Sequence, residues 1–141
     1  MAYIVQADLT EQLSASQLVL LTDDEKGGIA VADRVTRAIT SAEAEVNAFL
    51  GVRYSVPLTG TIPDLVQTWT LHIAVYLLYT RRRVPDDVRQ AYEDAIARLK
   101  AVVAGHMTLG LEPSPAVSTT SSQGEISGPE RVFTRETLGG F

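Results

Sequence analysis

From Ser14 to Gly105 apolar residues recur at helical spacing, and the breaks in that recurrence divide the chain into elements. The clearest run is Val88, Ala91, Tyr92, Ala95, Ile96, Leu99, Val102 and Val103, which returns to one face every three or four residues. It opens at Pro85-Asp86-Asp87 and stops at Gly105, so it predicts a helix about 30 Å long. Upstream, Val66, Trp69, Ile73, Ala74, Leu77 and Leu78 form one face of a helix that begins around Pro63-Asp64. Leu71, Val75, Tyr76 and Tyr79 make its other side largely apolar as well. Such a helix is the central one of a bundle or is covered by a neighbouring subunit. Arg81, Arg82 and Arg83 close it at the negative end of its dipole.

A longer helix is predicted over about Ile29–Leu50 from Val31, Val35, Ala38, Ala42, Val46, Phe49 and Leu50. Arg34, Arg37, Glu43 and Glu45 then face water, and Gly51 falls where a left-handed C-cap is expected. Val52–Ile62 reads as a structured loop carrying Tyr54 and Leu58. The opening segment reads as two short helical turns, because Asp8 with Glu11 and Ser14 with Gln17 have capping-box spacing. Leu9, Leu13, Leu18 and Leu21 point inward from them. The polar run Thr22–Gly28 is a loop.

After His106 the pattern changes. Ser, Thr, Pro and Gly fill twelve of the nineteen positions between Leu111 and Pro129, too many for the stretch to offset its own ordering by burial. The expected fold is therefore all-α: a small helical bundle over residues 1–108, followed by a flexible, extended C-terminal arm over residues 109–141. Those 33 residues can stretch to about 110 Å. Val132, Phe133, Leu138 and Phe141 return apolar anchors to the arm's tip, which makes them candidate contacts with an adjacent subunit or another partner.

Composition narrows the function classes. With no cysteine there are no disulfides, thiol nucleophiles or cysteine metal sites. A net charge of −5 argues against a protein that coats nucleic acid, whose affinity comes from cations set against phosphate. Met1–Leu13 lacks a basic leader region, and Asp8 and Glu11 interrupt its apolar residues. The most apolar window, Leu65–Tyr79, is shorter than the roughly 20 residues a bilayer span needs, so no membrane association is expected.

Candidate chemistry is sparse. Asp23, Glu25 and Gly28 fit the first, third and sixth positions of a calcium loop. Gly27, however, offers no ligand at the fifth, and Arg34 stands where the bidentate acid belongs. His72 and His106 have no second ligand at metal spacing and read as a core or interface histidine and a helix C-terminal cap. Asp86-Asp87 and Glu93-Asp94 are explained by helix-end electrostatics and solvation. Serine-nucleophile, P-loop and dinucleotide motifs are missing, so no catalytic, cofactor or metal site is assigned and an enzyme is not expected. Arg81–Arg83 serve either the helix dipole or a contact with an acidic partner or DNA. Reading the last two helices as a helix-turn-helix fails on charge, since the second carries a net −1.

Several short patterns in order resemble the Mu-like phage head–tail adaptor family. They are Met1-Ala2-Tyr3 with Asp8-Leu9, Leu20-Leu21-Thr22-Asp23, and Ala42–Leu50 running into Arg53-Tyr54 and Pro57-Leu58. Leu77-Leu78-Tyr79 with Arg81–Arg83 and Pro85, Tyr92-Glu93-Asp94-Ala95 with Leu99, and Arg131–Glu136 complete the series. The resemblance implies a non-enzymatic virion protein, a connector forming a ring (commonly a dodecamer) between the portal and the tail or tail terminator. DNA meets it only as the passing genome, and before assembly it resides in the host cytoplasm. A small cytoplasmic helical regulatory module, dimerising through the apolar excess of the Pro63–Tyr79 helix, is the alternative. A metal-dependent hydrolase is a more distant third.

Overall fold

Five helices follow one another in the computed structural model of the chain, which describes residues 2–23, 28, 30–80 and 82–114. They are α1 (Gln6–Gln12), α2 (Ala15–Thr22), α3 (Ala32–Leu50), α4 (Asp64–Tyr79) and α5 (Asp86–Ala104), and the described residues include no strand. The fold is an all-α helical bundle. α4 packs against each of the other four helices, and α3 also meets α5. The apolar character on both sides of α4 is thus used within the chain: Val66, Trp69, Ile73, Ala74 and Leu78 are buried, as is Val75 on the other side. Leu71, Tyr76 and Tyr79 are half-buried.

Facing α4 are Val35, Ala38, Ala42, Val46 and Leu50 of α3 and Ala95, Leu99 and Val102 of α5, all buried. Leu9, Leu13, Leu18 and Leu21 enter the same core from the N-terminal segment, as their spacing predicts. Val88, Tyr92 and Ile96 are only half-buried, which makes α5 an outer helix with a narrow seam.

The helix ends show where local chemistry ruled and where it did not. Ser14 and Gln17 form the expected reciprocal cap: the Gln17 amide donates to Ser14 Oγ (3.3 Å) and the Ser14 amide to Gln17 Oε1 (3.1 Å). At α1, however, Asp8 is the third helical residue rather than the cap. Its carboxylate accepts the Val5 amide at 2.7 Å, so the acid reaches back to an orphan donor at the positive helix end. α3 begins three residues later than its apolar pattern suggests. Val31 is extended, and its amide donates to Thr22 Oγ1 (3.1 Å) instead of entering a helical turn.

Gly51 also departs from expectation. Its φ of −58° is right-handed, so no left-handed cap forms. A Cβ here would lie 3.0 Å from the Asn47 carbonyl oxygen and 3.2 Å from Val56 Cγ2, so it is close space, not the sign of φ, that favours glycine. Gly105, where the sequence predicts the stop of the last helix, forms a left-handed cap at φ 83°. The His106 amide then donates to the Ala101 carbonyl at 2.9 Å, so it is the backbone of His106 that closes α5.

Candidate interaction site

The polar side chains that the hydrophobic pattern assigns to water instead tie distant elements together. Glu43 is the first of these, and its partner is Tyr3. The Tyr3 amide donates to Glu43 Oε1 (2.6 Å), the Tyr3 hydroxyl donates to Asn47 Oδ1, and the same hydroxyl accepts the Leu58 amide (2.8 Å). One buried tyrosine therefore joins the N-terminal segment, α3 and the loop after α3. Glu45, one turn along from Ala42, accepts the Tyr92 hydroxyl at 2.9 Å and so links α3 to α5. Tyr92 also stacks on Tyr76 of α4, with ring centroids 4.2 Å apart. Burial first, then the hydrogen bond and negative charge of Glu45, with Tyr76 adding a little, push the Tyr92 phenol up to about 12. Arg34 is half-buried and donates to the Thr22 carbonyl at 2.6 Å.

A second set of ties holds the chain as it leaves α5. The Leu109 amide donates to the Tyr54 hydroxyl (3.3 Å) and the Ser114 amide to the Arg53 carbonyl (2.8 Å). Arg53 Nη1 donates to the Val102 carbonyl (3.3 Å). It lies 2.5 Å from where a Cβ on Gly105 would be, so this glycine answers both a positive φ and a guanidinium packed against it. Met107, Leu109 and Leu111 pack against the core.

Of the residues singled out as contacts, Arg82 and Arg83 are exposed and lie beyond the last turn of α4, where the Arg82 amide donates to the Tyr79 carbonyl (2.8 Å). They follow the helix at its negative end, where the sequence puts them. Arg81, Val132, Phe133, Leu138 and Phe141 lie outside the described residues. Asp23 accepts the Gly28 amide on Oδ2 at 2.7 Å, closing the loop after α2. Asp86 pairs with Arg89 in the first turn of α5, and Asp94 accepts from Gln90. Among the described residues, no three His, Asp or Glu side chains stand together as a metal site, and no helix is long and apolar enough to cross a membrane.

Among the described residues, three of the surface hollows stand out. One of about 390 Å³ lies between α1 and α4 and is lined by Asp8, Glu11 and Asp64 beside Ile4 and Leu71. A smaller one, about 190 Å³, holds His72 against Asp87, Val88 and Ala91 of α5. Burial lowers the His72 pKa, the positive charge of Arg98 adds to this, and Asp94 opposes it. The largest, about 470 Å³, runs between α2, α3 and α4 with leucine walls and two arginines.

Along residues 3–127 the sequence matches the family model described as bacteriophage Mu, Gp36. The chain belongs to that family. The match runs from Tyr3, the tie across the N-terminal half, past Ser114, so it spans every helix and the segment fastened to Arg53 and Tyr54. A relative within reach of direct comparison is the "Mu-like prophage FluMu protein gp36" of Haemophilus influenzae. It is 32% identical over 108 residues, which cover 77% of this chain and 75% of that protein. This Gp36-family chain is accordingly a protein of Mu-like phages and prophages, as the ordered series of short patterns predicts.

Proposed function

We propose that this Gp36-family chain is a structural, non-enzymatic head–tail connector, a ring subunit seated between portal and tail through which the genome passes. The observation that carries the reading is family membership combined with the use made of the polar side chains. Tyr3, Glu43, Glu45, Asn47 and Arg53, residue types that do chemistry in other settings, are tied across 40 to 55 positions of sequence and stiffen the body. A ring subunit needs such a rigid body and a means of reaching its neighbours. Residues 109–114 are laid along the loop after α3, which sets where the rest of the arm departs. Val132, Phe133, Leu138 and Phe141 then dock on an adjacent subunit, the portal or the tail, and Arg81–Arg83 supply an electrostatic contact. The protein resides in the host cytoplasm until assembly and afterwards at the head–tail junction of the virion.

The test is a producing prophage lacking the gene. DNA-filled heads and separate tails should accumulate, and supplying the intact protein should restore joined particles. A version lacking residues 130–141 should melt at the same temperature as the full chain yet fail to join heads to tails. Infectious particles produced without the protein would overturn the reading.

A further inference from the structure

The groove between α2, α3 and α4 is lined by Leu21, Arg34, Arg37, Ala38, Ser41, Leu77 and Leu78. Arg34, Arg37, Ala38 and Ser41 follow one another by three, one and three positions, so they form a single stripe along α3. Ala38 and Ser41 are small and leave the floor open, while Leu21 and Leu77 wall it. Arg34 is steadied by the Thr22 carbonyl at 2.6 Å, and Arg37 is exposed on the rim. An apolar floor under two guanidiniums suits a segment that presents apolar side chains and carboxylates together.

The chain itself contains such a segment. At 100° per residue, Glu130, Val132, Phe133 and Glu136 fall on one side of a helical projection of residues 130–138, and Arg131 and Arg135 fall on the other. The segment as a whole is neutral, yet one face of it is acidic and apolar. Ser114 is fixed at Arg53, past the C-terminal end of α3, whereas the groove lies along the N-terminal half of that helix. The distance along α3 is about 20 Å, and the residues from Ser114 to Val132 can extend about 60 Å. That reach covers the groove of its own body with about 40 Å to spare, enough for the same groove on an adjoining copy. We propose that the groove receives residues 130–138 of a second copy of this chain, with Val132 and Phe133 between the leucines and Glu136 against Arg37. This rests on the connector reading above, which places copies side by side.

The test uses the full chain on assembled particles. A photo-crosslinking residue at Ser41, in a mixture of isotopically heavy and light chains, should give adducts between position 41 and residues 130–138 that join heavy to light. Adducts within one chain only, or to a different protein, overturn the proposal. Arg37→Glu, at an exposed position of α3, and Glu136→Arg should each lower ring formation about tenfold, and the two together should restore it to within about threefold of the unaltered chain. Ser41→Trp, which fills the groove from an exposed position, should act like Arg37→Glu. Ring formation unchanged by Arg37→Glu and Ser41→Trp, but lost when residues 130–141 are deleted, overturns the groove and leaves the connector reading standing. If the deletion too is harmless, the arm's part in the connector reading falls with it.

Discussion

Replacing Tyr3 by phenylalanine removes one oxygen and should cost far more than its position near the chain's start suggests. The hydroxyl accepts the Leu58 amide at 2.8 Å and donates to Asn47 Oδ1. Leu58 is buried, so its amide has no path to water once the hydroxyl is gone, and a stranded buried donor costs about 1–3 kcal/mol. The lost bond to Asn47 adds about 0.5–1.5 kcal/mol, because half-buried Asn47 regains some solvation. The backbone bond from Tyr3 to Glu43 survives the change. Together these place Tyr3→Phe at about 2–4 kcal/mol, or a fall of about 10 °C in melting temperature for a domain of this size. Urea unfolding followed by circular dichroism measures it directly. Asn47→Ala is the matched control: it leaves the Tyr3 hydroxyl free to accept from Leu58 and should cost about 1 kcal/mol. If the two variants prove equally mild, or Tyr3→Phe costs under about 0.5 kcal/mol, the hydroxyl is not the tie that the geometry makes it.

Gly51→Ala should destabilise by about 1–2 kcal/mol although its φ suits any residue, because the new methyl meets the Asn47 carbonyl and Val56. An unfolding curve that matches the unaltered chain would show that the loop yields freely. His72 gives a pH dependence. Its pKa in the folded chain lies below the unfolded value of 6.5, so the folded state binds the proton more weakly than the unfolded one. Stability from this source is complete above about 6.5 and declines as the pH falls from there through the folded pKa; His72→Gln should flatten that part of the profile, as read by urea midpoints across the range.

The elements that sequence reasoning recovers are those whose cause is local. The seam of α5 is written in Ala95, Leu99 and Val102, and its end in Gly105. Ser14 and Gln17 announce α2 because both partners of the cap lie within one turn. The all-round apolar character of α4 leaves two readings, the centre of the bundle or a face covered by a neighbouring subunit, and its contacts with the other four helices decide for the centre. The ties escape for the opposite reason. Glu43 and Glu45 look like solvated charges on α3, and nothing within a turn of either reveals Tyr3 or Tyr92, which stand 40 and 47 positions away. Gly51 misleads because a glycine after a helix usually signals a left-handed residue, whereas here the constraint is Val56 folding back onto the chain. Arg82 and Arg83 stand just past Tyr79, at the end of α4 that the sequence assigns them.

The fastening of Leu109 and Ser114 to neighbouring residues 54 and 53 has a mechanical consequence. Tension arriving from beyond Ser114 loads that amide first and the Leu109 amide second, so the two release in succession, like a strip being peeled. The long helix behind them feels little strain until both have let go. A chain fastened in this way gives up a short length of slack before its body is disturbed.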